Sequence, residues 1–521
     1  MPGKSLNDDE RRLVNFWSDP PQQFAQPLLK SIAVQGPPAL RGVNSISVPF
    51  DYPITAICGR NGVGKSTLLA LAAFSANKPA DWSVPNWPTS PTRKQPKSSA
   101  YTWTDFFFAR QGGPIHDGLT ISYSYMISGN DFQISRRRVN GRWKTLPDPG
   151  RSRPASFPVR PVEFVSLARV LPSAELHYVR KHFRTTPDGP EIVLNPSMLS
   201  AARSIFGRQF ERVSVRFHGG VSLATCETDG QHYTGFDMGA GESAVISILA
   251  RLQNLPHGGL LLIEEIEHGL HLEAQSRLVD ALTTEVLRNK KQVVFTTHSA
   301  EIIDRLPREG RLLVQRAGDE HSIVSKPTTR FSTYAMSGIA HPEATIFVED
   351  NFARELVLLS LPANARLRVS VLPIGDKSKV AAQLGAHSRA MGTGPAICIF
   401  DGDCTDQEIR GWMRREELPE DGSNYIRLPG DGLPPEIWTL NALREEPFKS
   451  AFGLGIGMND ADVTRLLDDL TVLPDHHQTT RELALRTGLT EDQSGRELVR
   501  VLAPTHNDLE AVRTRVAQLL G

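Results

Sequence analysis

Read along the chain, short unbroken apolar runs alternate with segments of helical period, and several runs stop at a glycine or an acid. Ile54-Thr55-Ala56-Ile57-Cys58, Gly258 to Ile263 and Gln292 to Thr297 are too short for helices and lack polar alternation, which predicts strands buried on both faces. Leu29 to Val34, Ile46 to Phe50, Leu119 to Tyr125 and Phe132 to Ser135 alternate instead, predicting half-buried strands, with Ser128-Gly129-Asn130-Asp131 as a hairpin turn. Pro37-Pro38 predicts another turn, residues 1–22 a loosely docked start, and the Pro-, Ser- and Lys-rich stretch 76–100 a loop excursion. After Pro342 the pattern restarts: strands end at Glu349, near Ile374 and at Asp401, helices begin at Asn351 and beyond Gly375, and residues 440–521 read as helices. Strands alternating with helices predict an α/β chain with parallel sheets.

Composition narrows this picture. The chain has 521 residues, 40% hydrophobic and 22% charged, in the range of globular proteins. No apolar run approaches the roughly 18 residues of a membrane span, and the first ten residues carry no signal-peptide core, so no membrane partner is expected. Cys58, Cys226, Cys398 and Cys404 are scattered and mostly within apolar runs, which fits buried free thiols in a cytoplasmic protein. Formal net charge is +0, yet between Arg93 and Arg184 stand 16 Lys/Arg and 6 Asp/Glu. Arg136, Arg137, Arg138, Arg142 and Lys144 cluster there beside Trp143. Such a hairpin suits a phosphate backbone, and equally a solvated arm or a contact with an acidic surface.

The chemistry centres on Gly59-Arg60-Asn61-Gly62-Val63-Gly64-Lys65-Ser66-Thr67, a filled G-x-x-x-x-G-K-S pattern between a strand and a helix. Glycines let backbone N–H groups wrap phosphates at a helix start, Lys65 reaches the β/γ-phosphates and Ser66 is placed on Mg²⁺. Asn61, Gly62, Gly64 and Thr67 complete this ATP cradle. Further on, Leu260 to Ile263 runs into Glu264 and Glu265, a layout resembling Walker B: a first acid toward Mg²⁺, a second toward the attacking water. His298 ends the next strand, and Gly239, Gly241 and Glu242 open a helix suited to capping a γ-phosphate.

In the C-terminal third, Glu349 and the Asp401-Gly402-Asp403 pair end two strands, where parallel sheets bind ligands. Three converging carboxylates suit Mg²⁺ or Mn²⁺ and the cleavage of a phosphodiester. Asp431 and Glu436 offer further acids near the same edge. Lys377 either faces a scissile phosphate or is a solvated lysine. His476-His477 reads as a surface pair, with a phosphate contact as the alternative.

Taken in order, the motifs of residues 28–330 resemble an ABC-type ATPase head of the SMC/RecF-like branch, and the following acids resemble a TOPRIM domain. That plan is similar to the OLD (overcoming lysogenisation defect) family of ATP-dependent nucleases and to the nuclease subunits of Gabija and some retron systems. The resemblance implies a head in 1–340 with a β-rich basic insertion about 76–163, a TOPRIM-like domain in 341–445 and a helical region in 446–521. It further implies a homodimer that completes each ATP site, a nucleotide-regulated and metal-dependent DNA endonuclease of anti-phage defence, Glu265 and His298 in ATP hydrolysis, Glu264 and Ser66 on Mg²⁺, and Glu349, Asp401 and Asp403 on the nuclease metal. The other reading is an ATP-gated scaffold whose TOPRIM-like region is degenerate and which holds a separate effector or reverse-transcriptase partner. Three positions depart from the family: Glu264 replaces Asp, Gly239 replaces Ser, and Asp350 follows Glu349 where glycine is usual. The glutamine usual after the Phe164–Arg169 strand is missing, with Arg169 the substitute, and residues 73–230 hold no long coiled-coil heptads.

Overall fold

The computed structural model describes residues 6–77, 79, 101, 103–107, 117–147, 156–167, 191–218, 221–317, 320–338, 342–390, 394–430 and 432–521. Arg169, Asp431 and much of the basic stretch lie outside the described residues. The chain divides into two compact units, Gly3–Ile339 and Ala340–Gly521.

In chain order the first unit's strands are β1 (Leu28–Leu40), β2 (Val43–Pro49), β3 (Ile54–Cys58), β4 (Thr120–Ile127), β5 (Asn130–Val139), β6 (Arg142–Thr145), β7 (Val162–Val165), β8 (Glu191–Val193), β9 (Arg212–His218), β10 (Val221–Thr228), β11 (Gln231–Thr234), β12 (Leu260–Ile263), β13 (Gln292–Thr297), β14 (Arg311–Ala317) and β15 (Glu320–Ser325). They form three sheets. The central one has the order β15-β14-β3-β13-β12-β7, and all its pairs are parallel except β14 with β15. β3, β12 and β13 are fully buried, as their unbroken apolar runs require. β13 separates the glycine-loop strand β3 from the acid-bearing β12, so loop, acids and His298 emerge at one edge. A buried pair ties this sheet to the helix Ala240–Asn254: Arg251 donates to Glu163 of β7 across 2.6 Å.

The second sheet, β2-β1-β4-β5-β6, is antiparallel, with tight turns at Ser128-Gly129 and Asn140-Gly141. Both residues of each turn have positive φ, which matches the right-handed twist of the flanking strands. The third sheet is β11-β10-β9-β8.

Two expectations change here. Pro37-Pro38 lies within β1; the turn comes at Arg41-Gly42, and the β1–β2 register shifts between Gln35 and Leu40. A proline without N–H is accommodated at such an irregularity. The described part of residues 1–22 is docked rather than loose. Asp8–Ser18 is a helix with an Asn7/Glu10 capping box, and it buries Leu13, Phe16 and Trp17 at i, i+3, i+4 spacing. Trp17 donates from Nε1 to the Phe50 carbonyl at 2.7 Å.

The second unit carries one parallel sheet, built from β16 (Ala344–Val348), β17 (Val369–Pro373), β18 (Ala396–Phe400) and β19 (Tyr425–Arg427) in the order β17-β16-β18-β19. Helices Asn351–Ser360 and Lys377–Arg389 make the crossovers. The helices after residue 446 share their core with this sheet: Ile346, Ile399, Leu467, Leu498 and Val516 belong to one buried cluster. All four cysteines are buried and free. Among the described residues, no helix is long and apolar enough to cross a membrane.

Candidate functional site

The glycine loop leaves β3 at Gly59, whose φ of +147° and tight packing exclude a side chain: a Cβ would stand 2.4 Å from the Val314 carbonyl oxygen. Gly64, left-handed at φ +97°, caps the helix Lys65–Ala73. Lys65 is buried, and its Nζ donates to the carbonyls of Gly59 and Arg60 at 2.9 and 3.0 Å, which holds the ammonium inside the loop. Burial lowers its pKa, and Glu265 and Glu267 oppose that shift. Asn61, Gly62 and Ser66 are exposed at the loop rim, whereas Thr67 is buried.

The acids after β12 stand beside it. Glu264 donates its N–H to Val165, and its Oε2 accepts from the Leu167 N–H at 3.2 Å. Glu265 is left-handed at φ +42°, a costly conformation for a residue with a Cβ. Its N–H donates to Thr296 Oγ1 at 2.8 Å, and its carboxylate lies 3.1 Å from His268. The third acid of the run, Glu267, accepts the His298 N–H at 2.5 Å and thereby fixes the end of β13. Sequence reasoning stopped at Glu265. The signal for Glu267 was available as one more acid two residues on. His298 has a lowered pKa because of burial and the nearby Lys65. Lys65, Glu265, Glu267 and His298 thus occupy one electrostatic neighbourhood.

The helix Ala240–Asn254 starts at Gly239 without a side-chain cap. Gly241 and Gly269 are in backbone contact: a Cβ on Gly241 would lie 1.9 Å from the Gly269 carbonyl oxygen. The close contact couples this helix start to the segment after the acids. Glu242 accepts from the Tyr233 hydroxyl at 2.7 Å and pairs with Arg208 at 3.4 Å, so its carboxylate has protein partners.

The basic hairpin splits into two faces. Arg136 stacks 3.4 Å over the Phe157 ring, and Arg138 lies over Trp103 and Trp143. Arg137, Arg142 and Lys144 are exposed, with Arg137 opposite Lys144 across the β5–β6 ladder. Arg136 and Arg138 are half-buried, which leaves these three as the fully exposed cations of the cluster.

In the second unit, Glu349 follows β16 and Asp401 follows the adjacent β18, which sets their carboxyl groups close enough to perturb one another's titration. Asp401 is only 5% exposed, and its Oδ1 has no hydrogen-bond partner. Burial, together with Glu349, Asp350 and Glu436, pushes its pKa up to about 9. Burial also raises Glu349, and raises Glu436 to about 7. Asp403 meets Lys377 Nζ at 3.2 Å. Gly402 is packed between these acids: a Cβ would stand 2.6 Å from the Pro429 oxygen. Asp350 is in extended backbone and caps the next helix through the Ala353 N–H at 2.8 Å. The position after Glu349 therefore needs no glycine. His476 and His477 stand in this neighbourhood rather than on a remote surface. His477 Nδ1 lies 3.4 Å from Glu436 and 4.0 Å from Asp350. Five carboxylates face one lysine and two imidazoles, and the partnerless Asp401 oxygen fits a hard divalent cation.

A family profile described as "AAA domain, putative AbiEii toxin, Type IV TA system" matches residues 187–304, the span that holds β12, β13, both head acids and His298. Among solved structures, the SMC head domain from Thermotoga maritima is 14% identical, with 57% of this chain and 98% of that chain covered at a TM-score of 0.35. An Smc head domain with a coiled coil and joint from Pyrococcus yayanosii is 11% identical, with 60% and 99% covered at 0.36. An Smc head with an extended coiled coil, bound to the C-terminal domain of ScpA, from Pyrococcus furiosus is 13% identical, with 57% and 96% covered at 0.34. Comparison with curated proteins gives no match. The glycine loop, the β3-β13-β12 order and the acids at one edge give the first unit the layout of a P-loop α/β domain, and its residues 187–304 match an AAA-domain profile.

Proposed function

We propose that this chain is a nucleotide-switched enzyme: an ATPase head that engages a second copy, coupled to a divalent-metal centre that cleaves phosphodiesters in DNA. Among the observations, the one that carries the cleavage reading is the buried Asp401 beside Glu349, with an oxygen that no protein donor satisfies. A cation held by Glu349, Asp401 and Asp403 supplies Lewis-acid stabilisation of the leaving oxygen and a water of lowered pKa. Lys377, already against Asp403, is positioned to meet a phosphate oxygen. In the head, Lys65 and the loop N–H groups bind the β/γ-phosphates, Ser66 and Glu264 hold Mg²⁺, and Glu265 orients the attacking water. The helix start at Gly239–Glu242 meets the γ-phosphate of the opposing copy. The longer Glu264 and the missing hydroxyl at Gly239 favour slow hydrolysis, as a switch requires.

A second reading is an ATP-gated scaffold that holds a separate effector. Two observations favour it: the family match falls within the head, and Lys377 is already paired with Asp403. Both readings suit a defence role, since the matched profile is described by a toxin of a toxin–antitoxin system.

The deciding experiment is cleavage of supercoiled and linear DNA with Mg²⁺ or Mn²⁺, with and without ATP. Cutting is expected to vanish in Asp401→Ala/Asp403→Ala, by about 10³-fold or more, and to change its ATP response in Lys65→Ala. No cutting under any condition, with ATP binding intact, would replace the nuclease by the scaffold.

A further inference from the structure

We infer that Glu436, His476 and His477, with Asp350 beside them, form a binding site for a divalent transition-metal cation such as Mn²⁺, separate from the Glu349–Asp401–Asp403 group. One ligand atom from each of Glu436, His476 and His477 lies within 4.8 Å of the other two. Ligands about 2.1 Å from one ion stand roughly 3–4 Å apart. The His477–Glu436 pair already does so: His477 Nδ1 is 3.4 Å from Glu436 Oε1 and 4.0 Å from Asp350 Oδ2, and the two imidazole rings are 4.1 Å apart.

Three distant segments build this group. Asp350 caps the helix Asn351–Ser360, Glu436 starts the helix Pro435–Ala442, and the histidines form the 3-10 turn His476–Gln478. The turn is fixed from its own side: Asp475 accepts from the His477 N–H at 3.1 Å and from Gln478 Nε2 at 3.1 Å, and Thr479 donates to the His476 carbonyl at 2.6 Å. Glu436 is 3% exposed, so its carboxylate is buried against the imidazoles rather than solvated. A plain surface pair of histidines has no need of a buried acid beneath it.

The donor set decides the class of ion. Imidazole nitrogen with carboxylate oxygen suits manganese, iron, nickel and zinc, whereas Mg²⁺ keeps to oxygen and water. Asp350 is the chain neighbour of Glu349, so an ion here stands next to the acidic group already described, as the second ion of a two-metal phosphodiester centre does. The binding site itself does not rest on the cleavage reading.

The test is a Mn²⁺ titration of the full chain without nucleotide, read by calorimetry for stoichiometry and by pulsed electron paramagnetic resonance for ¹⁴N coupling. Two ions are expected, one of them with imidazole ¹⁴N coupling. His476→Ala/His477→Ala is expected to lose that coupling and one ion, and Glu436→Gln to weaken the same ion at least tenfold. The histidines sit on a surface turn, and an unchanged melting curve confirms that the variant folds. Asp401→Ala/Asp403→Ala is expected to retain the ¹⁴N-coupled ion. If the ion survives there and disappears in the histidine variant, the site stands even where DNA is never cut. A wild-type protein without ¹⁴N coupling, whose stoichiometry ignores the histidine substitutions, overturns it.

Discussion

The two units place acids at the carboxyl ends of parallel strands, but they neutralise them differently. In the head, Glu264 accepts from Leu167, Glu265 stands against His268, and Glu267 holds the His298 N–H through one oxygen while its buried Oε2 has no partner, with the buried Lys65 close by. In the C-terminal unit Asp403 meets Lys377, Glu436 meets His477 and Asp350 caps a helix, but Glu349 and Asp401 face one another, and Asp401 keeps an unsatisfied oxygen. The head is therefore organised before any ligand arrives, and the anion it awaits is a phosphate chain. The C-terminal group is organised around repulsion, which a cation relieves. The backbone differs in the same sense. Glu265 is held in the left-handed region, whereas Asp350, beside the other cluster, is an unstrained helix cap.

The sharpest way to separate the two is Glu265→Gln. The substitution keeps the side-chain volume and the Thr296 hydrogen bond to the backbone, and removes the carboxylate proposed to orient the attacking water. ATP hydrolysis is expected to fall by about 10²–10⁴-fold with nucleotide binding retained, as measured by phosphate release against nucleotide titration. Mn²⁺ binding by the C-terminal unit should not change. A variant that hydrolyses ATP normally would show that Glu265 only shapes the turn.

Gly241→Ala comes next. The new methyl would meet the Gly269 carbonyl at 1.9 Å, backbone against backbone, so the helix start and the segment after the acids must separate. A cost of about 1–3 kcal/mol is expected in chemical denaturation, with loss of ATP-dependent self-association on a sizing column. Gly239→Ala, with nothing within 4 Å of its Cβ, serves as the control for stability and should be nearly silent in chemical denaturation.

Much of this architecture was legible in the residues. β3, β12, β13, β16 and β18 coincide with unbroken apolar runs because burial on both faces leaves no polar alternation to obscure them. The glycine loop was legible because Gly59 and Gly64 answer local demands, a close carbonyl and a positive φ. What stayed hidden depends on distant packing. Leu13, Phe16 and Trp17 were masked by the charged residues between them, and nothing local to Pro37-Pro38 says that a strand tolerates them at an irregular register. Arg136 and Arg138 look identical to Arg137 in a run of three arginines, and only the pleat sends them onto aromatic rings. The meeting of Asp350, Glu436 and His477 joins positions about 40 to 130 residues apart, which no spacing rule encodes.

Asp401→Asn probes the repulsion directly. Asn removes the cost of holding a buried carboxyl protonated beside Glu349, so the melting temperature in chelator is expected to rise by a few degrees, about 1 kcal/mol, while metal protection against heating disappears. The same exchange in the head, Glu267→Gln, should lower the melting temperature, because there the acid accepts a backbone N–H and lies near a lysine. Opposite signs at two strand ends would establish the contrast; equal signs would dissolve it.

The smallest effect concerns pH. Burial and Lys65 hold the His298 pKa below 6.5 in the folded protein, so the unfolded chain binds its proton first as the pH falls. The stability this residue contributes is complete above pH 6.5 and is lost as the pH falls below it toward the folded value. The neutral imidazole, which under the proposed function meets the γ-phosphate region as an acceptor or a single donor, persists across the same range. ATP turnover is therefore expected to be flat from about pH 8 to 6.5 and to decline only below that, whereas His298→Gln should remove the decline along with part of the rate. An acid limb centred above pH 6.5 in the wild type would mean that Glu265 and Glu267 outweigh Lys65 at this histidine, and that the head, like the C-terminal unit, is governed by its acids.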